Sequence, residues 1–222
     1  MDEGNRYDPT QGSMRLQTDF EEKLNAWSHG LGAVLGLIGL ILLVVFLQKE
    51  TPYALLSVIV YGLSIVILFL ASTFYHSVRS ERRKHYFRIL DHISIYILIA
   101  GTYTPVLLII LPDSLGWQLL YIVWGIAAFG LILKIFFTGR FEIFSTLLYL
   151  VMGWLIIFDF PALIERMASN GVYLLYAGGA FYTIGIIFYI FQRIPFNHVI
   201  WHFFVLGGAI CHFLMIYWYV IV

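Results

Sequence analysis

The sequence predicts an all-α, polytopic membrane protein that crosses the bilayer as a bundle of seven transmembrane helices. Hydrophobic residues make up 61% of the 222 positions and charged residues only 12%, whereas a soluble domain carries about 25% charged residues. Long apolar runs, separated by short polar segments, follow one another along almost the whole chain. Because a membrane-spanning helix needs about 20 mostly apolar residues, each run is a candidate span.

Seven apolar runs define the predicted helices. In chain order they are Ala26–Leu47, Tyr53–Tyr75, Ile89–Leu111, Trp117–Ile135, Phe144–Phe160, Val172–Phe191 and His198–Val222. The segments between them hold the charged, glycine or proline residues that end each run, namely Lys49–Pro52, Ser77–Arg88, Pro112–Ser114, Thr138–Arg140, Pro161–Gly171 and Gln192–Asn197. Together the runs leave no room for a soluble domain.

The region before the first run is polar and mixed in charge. Thr18 and Glu21 have the spacing of a capping box, which predicts a short amphipathic lead-in helix before the first span. We therefore divide the chain into a disordered cytoplasmic tail over residues 1–17 and a seven-helix transmembrane domain over residues 18–222. Within the first run, the closely spaced Gly30, Gly32, Gly36 and Gly39 predict that a neighbouring helix approaches closely.

The distribution of lysine and arginine predicts the orientation in the membrane. Cytoplasmic loops retain an excess of these residues. All but two of the 13 lie before the first run, at the end of the fourth run, or in the connections after the second, fourth and sixth runs. The two exceptions, Lys49 and Arg166, lie on the opposite side. The sequence therefore predicts a cell-membrane protein with its N-terminus inside and its C-terminus outside.

Ionisable residues inside a membrane are functional candidates, because inserting a central Asp is unfavourable by roughly 2.5–3.5 kcal/mol. His76 ends the second run, and Ser72 lies one turn deeper on the same helix face. Asp91 opens the third run, while His198 and His202 share one face at the start of the seventh. With alternating helix directions, all five residues are predicted at the cytoplasmic end of the bundle.

Three histidines at one depth predict a metal centre. Three imidazole ligands with one open position are the usual arrangement of a catalytic zinc ion, and nitrogen donors favour Zn²⁺ over Ca²⁺ or Mg²⁺. Other roles remain open at this point. Histidines at helix ends can cap carbonyl groups or contact lipid headgroups, Asp91 can pair with Arg88 or His92, and Ser72 can bond to the preceding turn of its own helix.

The remaining polar candidates are less suited to this centre. His85 is predicted in a solvated basic loop, and His92 points about 100° away from its neighbour on the helix. His29 lies near the inner end of the first run and is a candidate accessory group. His212 is about 15 Å deeper than the predicted metal site, so we expect it to bond a neighbouring helix. Asp159 lies near the outer end of the fifth run.

Five stretches together resemble one family. They are Glu21–Gly30 (EEKLNAWSHG), Ser72–Ser77 (STFYHS), Arg88–His92 (RILDH), Gly101–Pro105 (GTYTP) and His198–His202 (HVIWH). In these stretches the chain resembles the haemolysin III family of bacterial membrane proteins. That family belongs to the wider progestin and adipoQ receptor superfamily, which includes the adiponectin receptors.

The resemblance implies a site and an activity. His76, His198 and His202 would be zinc ligands, and the predicted catalytic residues would be Asp91, holding the zinc-bound water, and Ser72 beside it. The ceramidase-like activity of the superfamily implies a zinc-dependent hydrolase that cleaves a lipid amide or ester bond. Substrate would enter from the inner leaflet. The long cytoplasmic extension of the animal receptors is absent from the sequence.

Two other functions remain open from the sequence. The same histidines would serve a non-catalytic receptor or sensor in which zinc clamps the helices together. Cell lysis, suggested by the family name, is a third possibility, although the outer halves of the runs carry few of the polar residues that a pore requires. In every case the expected partners are membrane lipids, with ceramide as a candidate substrate, and no nucleic acid partner is expected.

Overall fold

The seven-helix prediction is confirmed by a computed structural model, which describes residues 17–222. In this part of the chain, seven helices are long and apolar enough to cross a membrane. They are α1 (Asp19–Val45), α2 (Ala54–Ser77), α3 (Glu81–Ile110), α4 (Gly116–Phe137), α5 (Glu142–Arg166), α6 (Ser169–Ile190) and α7 (Asn197–Tyr219). The predicted disordered tail, except Gln17, lies outside the described residues.

Helix α1 begins seven residues before the predicted apolar run. The capping box is present: Thr18 Oγ1 accepts a hydrogen bond from the Glu21 backbone N–H at 3.2 Å, and the Thr18 N–H donates to Glu21 Oε2 at 2.9 Å. From Asp19 the helix continues without a break to Val45. The lead-in helix is therefore the first part of α1, because no glycine or proline interrupts the chain between Thr18 and the apolar run.

Helix α3 also begins earlier than predicted, at Glu81 instead of Ile89. The basic segment before the apolar run is helical because Glu, Arg and Lys are good helix formers. At the other end, α-helical bonding stops at Pro105 and Val106–Ile110 form a π-helix. Proline has no N–H to donate, which explains the change of helix type at this position.

Helix α5 is interrupted by a 3₁₀ segment, Leu155–Asp159. The Asp159 carboxylate accepts hydrogen bonds from Ser114 Oγ at 2.7 Å and from the Leu115 backbone N–H at 3.0 Å. These contacts satisfy donors at the start of α4. Asp159 thus lies at the end of the bundle away from the histidines that end α2 and begin α7, as predicted.

The helices pack mainly with their sequence neighbours, and α1 also contacts α7, which brings the two ends of the chain together. The glycines of α1 allow the predicted close approach of α2. A Cβ atom at Gly32 would lie 2.6 Å from the Phe69 ring, and one at Gly36 would lie 2.7 Å from Ile65 Cγ2. This packing fixes the start of α1 against the end of α2, where the candidate site lies.

Candidate metal centre

The structure brings the three predicted histidines together. His76 lies in the last turn of α2, and His198 and His202 lie in the first two turns of α7. One nitrogen atom from each ring lies within 4.8 Å of the others. The ring centroid of His76 is 5.2 Å from that of His198 and 4.9 Å from that of His202. These three histidines could hold a metal ion.

The hydrogen bonds around the rings leave nitrogen atoms free to face the centre. His76 Nδ1 lies 2.7 Å from Glu22 Oε2. Its Nε2 atom is buried and has no hydrogen-bond partner among residues 17–222. His202 Nδ1 lies 3.3 Å from the Asn25 carbonyl oxygen and 3.4 Å from Ser28 Oγ. A buried imidazole nitrogen without a hydrogen-bond partner is available to bind a metal ion. The residues present therefore fit a metal ion.

Ser72 and Asp91 line the same cavity as His198 and His202, and this cavity has a volume of about 300 Å³. The Ser72 hydroxyl is buried and bonds no group of its own helix; the side chain that interacts with it is Asp91 of α3. The alternative in which Ser72 bonds to its own helix is therefore not observed. Asp91 is half-buried in α3 and is not part of the histidine cluster that could hold a metal ion among the described residues.

The cavity extends from this polar end toward the opposite end of the bundle. Its walls come mainly from α3, α5, α6 and α7, and its apolar lining includes Ile99, Val106, Ile156, Leu175, Val205 and Met215. The cavity thus joins a cluster of nitrogen and oxygen groups to a long apolar interior. That shape suits a ligand with a polar head and a hydrocarbon chain.

The other histidines occupy distinct positions. The His29 ring stacks on His202, and both of its nitrogens are buried without a partner in residues 17–222. His212 Nε2 lies 3.4 Å from the Leu175 carbonyl oxygen of α6, as expected for a group bonding a neighbouring helix. His92 Nδ1 lies 3.8 Å from Glu142 Oε1, and His85 is exposed.

Two polar features of this end of the bundle were not predicted. Glu22 links His76 to Lys84, whose Nζ atom lies 2.6 Å from Glu22 Oε1. Lys134 is fully buried, and its Nζ atom lies 2.6 Å from Glu142 Oε2. A lysine within an apolar run was a signal for the second feature. Glu22 gave no such signal, because it lies in a polar segment with several other acidic residues.

Sequence comparisons identify a family and several relatives. The sequence model of a family described as "Haemolysin-III related" matches residues 18–213. "Hemolysin-3" of Bacillus cereus is 48% identical over 211 residues, which cover 94% of this chain and 96% of the relative. "Hemolysin-3 homolog" of Bacillus subtilis (strain 168) is 44% identical over 200 residues, which cover 90% of this chain and 94% of the relative.

A more distant relative comes from animals. "Monocyte to macrophage differentiation factor" of Homo sapiens is 30% identical over 210 residues, which cover 91% of this chain and 85% of the relative. The family match covers six of the seven spans completely and most of the last. The chain is a multi-pass integral membrane protein and belongs to the haemolysin-III-related family.

Proposed function

We propose that this protein is a zinc-dependent hydrolase that cleaves an amide or ester bond of a membrane lipid, with ceramide as the first substrate to test. The observation that carries the proposal is that Ser72, Asp91, His198 and His202 line one apolar cavity, and that His76 clusters with the two histidines. Hydrolysis of a lipid requires polar catalytic groups beside a space for a hydrocarbon chain. This cavity has polar groups at one end and an apolar interior, which supports the proposal.

Zinc is the metal that suits the donor set best. His76, His198 and His202 offer three neutral nitrogen donors, and a zinc site with three protein ligands keeps a fourth position open for water or substrate. Zinc held by these histidines would supply Lewis-acid activation of water and of the substrate carbonyl.

The chain's own residues would handle the proton and the developing charge. Asp91 would accept a proton from the attacking water, whose oxygen forms a bond to the carbonyl carbon. Ser72 Oγ, which bonds no group of its own helix, would donate a hydrogen bond to the carbonyl oxygen as negative charge develops there. Asp91 would then return the proton to the leaving nitrogen or oxygen as the carbon–nitrogen or carbon–oxygen bond breaks, which releases a fatty acid.

The substrate would reach the site from the inner leaflet. We propose that the N-terminus is cytoplasmic and the C-terminus external, because the lysines and arginines are concentrated at the end of the bundle that holds the histidines. Helices α5 and α6 both line the cavity but contact each other little, so an acyl chain could enter between them.

The decisive experiment measures zinc and fatty acid release on the same purified samples. We expect the wild type to contain one zinc ion per chain and to release fatty acid from ceramide. The double variant His198→Ala with His202→Ala should lose the metal, whereas Asp91→Ala should keep it and lose the activity. A wild type that holds zinc but releases no fatty acid from any amide or ester lipid tested would support a receptor or sensor with structural zinc.

Membrane lysis is the second candidate function, because the Bacillus cereus relative is named "Hemolysin-3". A pore through one chain would need polar groups along its full depth, and the cavity here is mainly apolar. Lysis by a released lipid product would instead require the hydrolase activity. Conductance across planar bilayers that contain the purified Asp91→Ala variant would favour an intrinsic pore over a lytic product.

A further inference from the structure

One face of α1 contacts His76 and His202, which are two of the three clustered histidines. Glu22, Asn25 and His29 follow one another at spacings of three and four residues, so they lie on the same side of the helix. Glu22 contacts His76, and the Asn25 carbonyl group contacts His202. None of the three clustered histidines lies on α1. Helix α1 nevertheless contacts two of their rings.

These contacts determine which nitrogen of each ring carries the proton. In a neutral imidazole one nitrogen donates a hydrogen bond and the other accepts one. A carboxylate and a backbone carbonyl can only accept, so Nδ1 must carry the hydrogen where it faces Glu22 Oε2 at 2.7 Å or the Asn25 oxygen at 3.3 Å. The Nε2 lone pairs of His76 and His202 are then left for a metal ion.

Glu22 is itself held in place from α3. Its second carboxylate oxygen, Oε1, lies 2.6 Å from Lys84 Nζ. The Lys84 ammonium group also lies 5.1 Å from the centre of the Tyr75 ring, and that ring packs edge-on against His76. The Glu22 carboxylate therefore links α1, α2 and α3 beside His76.

We propose that Glu22 is a positioning residue for the metal centre. It selects the Nδ1–H tautomer of His76, fixes the orientation of the ring, and is anchored by Lys84. This inference rests on the proposed metal site and adds a group that does not itself touch the metal. Outer carboxylates of this kind typically change metal affinity by about 10–100-fold when they are removed.

The test compares the zinc affinity of purified variants by competition with a chromophoric chelator. We expect Glu22→Ala to bind zinc about 10–100-fold more weakly than the wild type. Glu22→Gln should lie between the two, because its amide oxygen still accepts a hydrogen bond but carries no charge. The matched control is Glu81→Gln, which removes an exposed carboxylate from the start of α3 and should leave zinc affinity unchanged.

A second measurement reads the tautomer directly, without metal or activity. Nitrogen NMR of metal-free protein labelled with ¹⁵N-histidine distinguishes the two tautomers, and the His76→Ala variant identifies the signal of His76. The wild type should show the Nδ1–H form at His76, and Glu22→Ala should show a mixture of both forms. A purely structural role of Glu22 would lower the melting temperature of the metal-free protein without changing the tautomer.

The outcomes separate this inference from the proposed function. A wild type that binds no metal overturns both. A wild type that binds zinc, with Glu22→Ala and Glu81→Gln binding it equally well, overturns the role of Glu22 and leaves the metal site standing. If Glu22→Ala does not fold, Glu22→Gln decides by the same criteria, because it preserves the size of the side chain.

Discussion

The imidazole rings of His29 and His202 lie face to face, with their centroids 3.6 Å apart and their planes inclined by only 8°. His29 also meets the Phe69 ring edge-on at 5.0 Å. Its ring is therefore held between an apolar side chain of α2 and a candidate metal ligand of α7. We infer that this stack, together with the hydrogen bonds from α1, restricts rotation of the His202 ring.

The stack predicts different effects for two substitutions of His29. His29→Phe keeps a ring against His202 and should retain zinc affinity within about twofold, whereas His29→Ala removes the support and should weaken it severalfold. Because both nitrogens of His29 are buried without a partner in the described part of the chain, His29→Phe should leave stability unchanged or increase it. Chelator competition and thermal melting check both expectations.

Equal weakening by the two substitutions would contradict this prediction. It would show that the His29 nitrogens, and not the stacked ring, matter to the metal centre. His29 lines the cavity, so a loss of hydrolysis in His29→Phe with zinc retained would point to a contact with the substrate.

A buried ion pair predicts unequal effects of removing its two members. The Lys134 side chain is 1% exposed, and its Nζ atom lies 2.6 Å from Glu142 Oε2. Glu142→Gln would leave the lysine charge buried without its carboxylate, which typically destabilises a protein by about 3–5 kcal/mol. Lys134→Met should destabilise less, because Glu142 keeps its contacts with Arg88 at 3.4 Å and with the Gly139 N–H at 3.0 Å.

Unfolding of the purified protein in mixed micelles would measure this asymmetry. Zinc affinity serves as the control, because this pair contacts none of the three clustered histidines. Lys134→Met could instead destabilise the protein more than Glu142→Gln does. In that case the contacts of Glu142 with Arg88 and Gly139 would not compensate the Glu142 charge, which would contradict our inference.

The middle of each helix could be predicted from the sequence, but the early start of α3 and the continuity of the lead-in helix with α1 could not. Apolar runs mark the part of a helix that lies in the hydrocarbon region. The charged segment that begins at Glu81 lies outside that region and is nevertheless helical, because helix propensity does not depend on hydrophobicity. The capping box at Thr18 was the one local signal of an earlier start, and the structure confirms it.

The depth of the candidate site could also be predicted, because helices that alternate in direction place His76 and His198 at the same end of a bundle. The lateral arrangement of the helices around the site could not be predicted. Glu22 and His76 are 54 residues apart. Nothing in the local sequence shows that the Glu22 carboxylate contacts the His76 ring. Contacts between helices depend on side-chain packing over the whole bundle, which a single sequence does not reveal.

Close packing of α1 on α2 predicts a further pair of unequal substitutions. A Cβ atom at Gly32 would lie 2.6 Å from the Phe69 ring, which is almost fully buried. Gly32→Ala should therefore destabilise the protein by about 1–3 kcal/mol through overpacking. Gly125→Ala in α4 is the control, because a Cβ atom there would meet no described atom within 4 Å. A Gly32→Ala protein as stable as the control would mean that the Phe69 ring can shift to make room for the added methyl group.

Gly179 offers a test of whether the apolar cavity holds the hydrocarbon chain of a substrate. This glycine of α6 lines the cavity, and a Cβ atom there would meet no atom of residues 17–222 within 4 Å. Gly179→Leu should therefore occupy part of the cavity without displacing its neighbours. The three clustered histidines lie on other helices, so the zinc content should remain at the wild-type level.

We expect Gly179→Leu to slow hydrolysis of long-chain ceramides about 10–100-fold and to affect short-chain ceramides much less, because each excluded methylene loses about 0.8 kcal/mol of burial. Fatty acid release from ceramides of graded chain length measures this change. Gly125→Leu in α4, a helix that contributes none of the cavity residues found in the described part of the chain, should leave the preference unchanged. Equal slowing of all chain lengths by Gly179→Leu would mean that the acyl chain lies elsewhere, since a side chain that only narrows its path must discriminate by length.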